Sequence, residues 1–135
     1  MDAKEFIRRY YDELWVKGNV EAVDDFVTED FVDHNEPGDT PPIERLKWVV
    51  GVYRDTTTDV QLDLEVVVAD GEHAAAFWTM RWTQHGDFFG VPADGKRLVF
   101  SGGQFFRLRD ERIAETWHAD DYVGLFGQLG LTLKP

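Results

Sequence analysis

The stretch Val60-Gln-Leu-Asp-Leu-Glu-Val-Val-Val68 decides the fold class. Val60, Leu62, Leu64, Val66 and Val68 alternate with Gln61, Asp63 and Glu65, the period of two that belongs to a strand with one buried face. Before Asp59 the period is that of a helix. Phe6, Tyr10 and Leu14 fall on one face with Ile7, Tyr11 and Trp15 beside them, and Leu46, Val49, Val50 and Tyr53 repeat the pattern further on. A helical first third followed by strand-period sequence describes a segregated α+β chain, not alternating βαβ units.

Turn and cap residues divide the rest. Asp2 with Glu5 has the form of a capping box, and Gly18 is a natural stop. Asn19 is placed to cap a short second helix striped by Val20, Val23 and Phe26. Residues 31–34 read as a short extended piece and residues 36–42, with three Pro and one Gly, as a loop. Thr40 is then expected to cap a third helix running to about Arg54. Asp70-Gly71 marks a turn into a strand over 73–85, and 86–96 form a loop. A strand over 97–108 contains Gly102-Gly103, a turn covers 109–112, a strand covers 113–120, and a short helix or turn covers 122–130. The expected architecture is one domain over 1–135: a curved four-stranded antiparallel sheet closing as a cone over three N-terminal helices, with an interior pocket. Long strands facing helices coil, paired glycines permit a sharp bend, and the wide end of a cone is hard to fill with side chains.

Composition narrows the function. Of 135 residues, 43% are hydrophobic, including ten Phe and five Trp, enough to fill a core or to line a cavity for a flat apolar molecule. With 14 basic against 26 acidic residues the net charge is -12, which repels phosphate backbones and anionic lipid, so neither nucleic acid nor membrane is an expected partner. The absence of Cys excludes disulfides, thiolate metal sites and a cysteine nucleophile. No apolar run approaches the roughly 20 residues of a membrane span. The charged start Met1-Asp-Ala-Lys-Glu5 lacks the apolar region of a secretory signal, and a cytoplasmic location is the expectation. The four His show no metal-ligand spacing, so no metal site is expected. Ser101 lacks a Gly-x-Ser-x-Gly frame, and no phosphate-cradling glycine loop is present, which removes serine-hydrolase and nucleotide chemistry.

The segment Ile113-Ala-Glu-Thr-Trp-His-Ala-Asp-Asp121 concentrates the candidate chemistry. If its pairing is regular, Ile113, Glu115, Trp117, Ala119 and Asp121 share one face, and Ile113 and Trp117 mark that face as buried. Glu115 and Asp121 would then be desolvated carboxylates suited to acid/base work. The alternative is that Glu115 pairs with an Arg and Asp121 caps the helix beginning at Tyr122. On the same parity His118 points to solvent or to a subunit interface. His34, beside the proline-rich loop, is a candidate donor at the pocket mouth or a surface residue bonded to Asp33.

Three segments together resemble a known family. Gly86-Asp-Phe-Phe-Gly-Val-Pro-Ala-Asp-Gly-Lys96, Phe106-Arg-Leu-Arg-Asp-Glu-Arg-Ile-Ala-Glu-Thr-Trp117 and Asp121-Tyr-Val-Gly-Leu-Phe-Gly-Gln-Leu-Gly130 resemble, in order and separation, motifs of the SnoaL-like polyketide cyclases. The Phe31-Val-Asp-His34 piece and the helix order also fit. This resemblance implies the nuclear transport factor 2-like cone, a homodimer formed through the sheet, and acid/base chemistry without a cofactor. The acidic residue four positions after the motif Trp is the catalytic acid/base in those cyclases, which points to Asp121. The sequence departs from the pattern at Glu111, at Ala93-Asp94, at Gln84-His85 and at Gln104.

The implied reaction is an intramolecular aldol-type ring closure or related isomerisation of a small apolar or aromatic substrate. Asp121 is the expected base, His34 and Gln104 are candidate oxyanion donors, and Trp117, Trp82 and Phe106 are candidate walls. A noncatalytic small-molecule binding protein of the same fold is the alternative, followed by an epoxide hydrolase or a ketosteroid-isomerase-like enzyme.

Overall fold

The computed structural model describes residues 1–36, 38–88, 90–92 and 94–131. Pro37 of the proline-rich loop, and Phe89 and Ala93 of the 86–96 loop, lie outside the described residues.

Helix α1 (Ala3–Tyr10) starts where Asp2 accepts the backbone N–H groups of Lys4 and Glu5, at 3.0 and 3.3 Å. It runs without a break into a π-helical segment, Tyr11–Val16. Phe6, Ile7, Tyr10, Tyr11 and Leu14 are all buried. Gly18 then turns the chain at φ +66. Asn19 makes no side-chain cap to the turn Val20–Ala22; its amide instead donates to Glu13. That turn leads into α2 (Val23–Phe26). Helix α3 (Pro42–Thr56) is not capped by Thr40 either: Pro41 occupies the cap position, and Pro42 opens the helix with its ring already at helical φ.

Among the described residues the sheet has five strands, not four. Strands β2 (Thr57–Asp70), β3 (His73–Gln84), β4 (Arg97–Arg109) and β5 (Arg112–Asp120) form the expected antiparallel meander. The extra strand is β1 (Val27–Asp33), which pairs parallel to β5 and gives the order β1-β5-β4-β3-β2. It is hard to see in the sequence because its register shifts between Val27 and Val32, so its buried residues do not alternate. A fourth helix, α4 (Tyr122–Gln128), follows β5.

The inner face of the sheet carries Trp78, Met80 and Trp82 from β3 and Leu98, Phe100, Gln104 and Phe106 from β4. These pack on α1, the π-helical turn and α3. Tyr10 and Tyr11 meet Phe106 edge-on, and Tyr53 does the same to Trp82. The outer face is bare. A register shift between Leu64 and Val66 turns Val66 and Val68 outward, against the regular alternation expected from the sequence. They join exposed Phe77, Val99, Phe105 and Trp117.

Gly18 is a test of this packing. A Cβ there would lie 2.6 Å from Cβ of Arg54, in a backbone conformation that L side chains rarely adopt. Gly71 has a similar φ, +61, with open space around it. Gly18→Ala is expected to lower unfolding stability in urea by about 2 kcal/mol or more, and Gly71→Ala by about 1 kcal/mol.

Candidate active site

The cone encloses a cavity of about 350 Å³. One side is aromatic, with Tyr10, Tyr11, Trp15, Tyr53, Trp78 and Phe100. The other is polar, with Asp33, Glu36, Gln104, His118 and Asp120. Tyr10, Tyr11 and Trp15 come from the end of α1 and the π-helical turn that follows it, and such turns recur at functional sites.

A bulge in β5 selects the polar wall. Arg107 pairs with Glu115 and Leu108 with Ile113, so Ala114 is surplus to the ladder, and Ile113 and Ala114 are both buried. Beyond it every side chain exchanges faces. Thr116, His118 and Asp120 point inward, opposite Phe106, Gln104 and Gly102, while Glu115, Trp117 and Asp121 do not line the cavity. Gly102 is needed for this: a Cβ there would lie 2.6 Å from Oδ1 of Asp120 and 2.7 Å from the Trp78 ring.

Several sequence expectations change accordingly. Asp121 is exposed and caps α4, accepting the Gly124 N–H at 2.9 Å. His34 is not a cavity residue. Its ring stacks on Trp117 at 4.7 Å, and Nε2 meets Oε1 of Glu115 at 3.0 Å on the outer face. Arg107 and then His34 hold the Glu115 carboxyl below its usual range. Trp117 is therefore an outer-face residue rather than a wall. Trp82 and Phe106 are wholly buried behind the lining, and they support Tyr53, Tyr10 and Tyr11. Gln104 does line the cavity, where Tyr11 Oη donates to its Oε1 at 2.7 Å and fixes the amide's orientation.

His118, expected to face outward, is the centre of the polar wall. Its Nδ1 meets Oδ2 of Asp120 at 3.0 Å, and its Nε2 lies 3.3 Å from Asp33 and 3.5 Å from Glu36. Its backbone N–H donates to Asn35 Oδ1 at 2.7 Å, tying β5 to the end of β1. Ile113 and Ala114 are buried together because of the bulge, since a regular alternating strand would turn one of them outward.

The signature of the SnoaL-like polyketide cyclases matches residues 5–129. The chain belongs to the SnoaL-like polyketide cyclase family. Among solved structures, TsrD from Streptomyces laurentii superposes with a TM-score of 0.84 at 24% identity, covering 96% of this chain and 98% of that one. A proposed polyketide cyclase from Acidithiobacillus ferrooxidans gives 0.81 at 26% identity, with 96% of each chain covered. One from Bacillus cereus gives 0.77 at 28%, covering 95% of this chain and 80% of that one. No curated protein matches the sequence. No helix among the described residues is long and apolar enough to cross a membrane.

In this SnoaL-like chain the cavity phenols are neutral donors. Burial pushes Tyr10 to about 12 and raises Tyr11 and Tyr53 well above the usual phenol value; burial and then the Asp120 charge push Tyr122 to about 12. His118 behaves oppositely to a simple buried imidazole. Burial alone would lower its pKa, but the bonds to Asp120 and Asp33, with their charges, raise it to about 10. Donor atoms of Asp33, Glu36 and His118 lie within 4.8 Å of one another, close enough to converge on a metal ion, which would first have to displace the imidazolium proton.

A histidine whose folded pKa lies above its unfolded value stabilises the fold fully below about 6.5, and that stabilisation is lost as pH rises through about 10. The His118 ring is therefore expected to remain protonated at pH 8 in ¹⁵N NMR, where an ordinary histidine is neutral. The melting temperature should fall between pH 6.5 and 9.5 by more than in His118→Asn.

Proposed function

We propose that the protein is an acid/base catalyst of the cyclase type, with the Asp120 carboxylate as the base. The observation that carries this reading is a carboxylate at the rim of an aromatic cavity, 9% exposed, hydrogen-bonded to an imidazolium. Asp120 would take a proton from a carbon between two carbonyls of a small aromatic or polyketide-like substrate. The enolate would attack a second carbonyl of the same molecule, forming the carbon–carbon bond, and the resulting alkoxide would recover the proton from Asp120. The sequence is redox-neutral and proton-neutral. Acidity comes from delocalisation into the two carbonyls, and rate from folding the chain so that the reacting carbons meet. The Gln104 amide and the neutral phenols of Tyr10 and Tyr122 supply donors for the developing oxyanion, and the His118 cation offsets its charge.

Two substitutions separate this reading from the one centred on Asp121. Proton exchange at the activated carbon of an aromatic β-keto ester can be followed by NMR in D₂O at a pH where uncatalysed exchange is slow. Asp120→Asn should slow enzyme-dependent exchange about 100-fold or more, the usual scale of general acid–base catalysis. Asp121→Asn should leave it within about threefold, because Asn caps a helix as well as Asp. Unchanged exchange in Asp120→Asn would leave a small-molecule binding protein as the better description.

The bare outer face supports pairing of two copies through the sheet. Phe105, 62% exposed, lies opposite Trp117 in the ladder and beside Phe77 and Val66, an apolar patch on strands and not on mobile loops. Light scattering at tens of micromolar should give twice the 15.6 kDa chain mass, and Phe105→Glu should return the monomer.

A further inference from the structure

A second chamber of about 240 Å³ lies beside the cavity. Glu36, Arg45, Val49, Tyr53 and Tyr122 line both, so the two spaces adjoin at one junction. Beyond it the wall becomes apolar: Phe88 and Val91 from the 86–96 loop, and Leu125, Phe126 and Leu129 from α4 and its end. Asp33, His118 and Asp120 do not reach it.

The walls of this chamber are fixed by polar contacts made on its outside. Gln128 clamps α4 to the sheet, its Oε1 accepting the Val99 N–H and its Nε2 donating to the Val99 carbonyl, each at 2.8 Å. Lys96 Nζ donates to the Gln128 carbonyl at 3.3 Å. The buried Gln84 amide holds the opposite wall by donating to the carbonyls of Gly86 and Val91, at 3.1 and 2.9 Å. At the junction, Arg45 Nε donates to Glu36 Oε2 at 2.7 Å and the guanidinium lies over Trp48. The ion pair stands between a polar head site and an apolar extension.

We infer that this chamber is a subsite for an apolar tail, so that the substrate is an extended molecule: a polar, carbonyl-bearing head at Asp120 and a linear alkyl chain or second ring passing Arg45 to lie under α4. This rests on the cavity being the ligand site, as proposed above. Five apolar side chains around a space that adjoins the cavity offer nothing to a polar group and a favourable transfer to each methylene that enters.

The test is calorimetric titration with 4-alkylphenols from ethyl to octyl, in which the phenol serves as a head-group probe. In the wild-type protein each methylene that enters the chamber should tighten Kd about fourfold, the equivalent of about 0.8 kcal/mol. Leu129→Trp places an indole in the chamber without touching the cavity lining. It should leave the Kd of 4-ethylphenol unchanged and abolish the gain from longer chains. Phe126→Ala, which removes a wall, should weaken the gain while keeping the same short-chain Kd. A length dependence that persists in both variants would overturn the subsite, because the chains would then lie elsewhere. Failure of the catalytic reading is separable: it would show in the Asp120→Asn exchange rate, which no chamber variant enters.

Discussion

The ladder between β4 and β5 absorbs one surplus residue at Ala114, and every side chain after it exchanges faces. A strand has a side-chain period of two, so a single insertion acts on all that follows. Without the bulge, Glu115, Trp117 and Asp121 would face the helices, and His118 and Asp120 would face out. With it, the cavity receives a histidine clamped between carboxylates, and the outer face receives Trp117 stacked on His34. The polar wall and the apolar outer patch are two results of one local irregularity. A second shift, between Leu64 and Val66, acts in the same way on β2 and adds Val66 and Val68 to the outer face.

Charge in the site follows from that geometry. His118 is only 16% exposed, yet its pKa is raised, because Asp120 and Asp33 bond to it and carry the opposite charge. Removing an imidazole from water favours its neutral form, and here the two carboxylates outweigh that desolvation. The cation in turn allows acidic groups to stand together at the rim of an aromatic cavity, where unpaired carboxylates would repel one another. Gly102 completes the arrangement by leaving room for the Asp120 carboxylate and the Trp78 ring.

The α+β class, the antiparallel meander from Thr57 to Asp120 and the curved sheet over helices were legible in the sequence, because hydrophobic period and turn residues report on local conformation. The family was legible too, through three motifs in order. Of strand β1 only the end was legible, as the extended piece at 31–34, since its register shift destroys alternation and its partner is remote in sequence. The site was half legible. Gln104, a candidate donor, does line the cavity, whereas Asp121, preferred on resemblance, and His34, left open between pocket mouth and surface, lie outside it. The alternative reading held for the two carboxylates, since Asp121 caps α4 and Glu115 pairs with Arg107. Parity misplaced Trp117 and His118: counting faces from Ile113 assumed a regular strand, whereas Ile113 and Ala114 are buried together. Tertiary pairing decides where a surplus residue goes, and no window along the chain contains it.

The parallel seam between β1 and β5 carries a consequence for synthesis. His118 donates its backbone N–H to Asn35 across 83 residues, and Asp33 reaches the His118 ring over the same seam. A ribosome makes residues 27–33 long before it makes their partners. Until then the first strand has an unpaired edge and the cavity lacks its polar wall. The helices and the β2–β3 hairpin can form as the chain emerges, but the polar wall of the cavity is assembled last. An incomplete chain would thus expose an unpaired strand edge for most of translation.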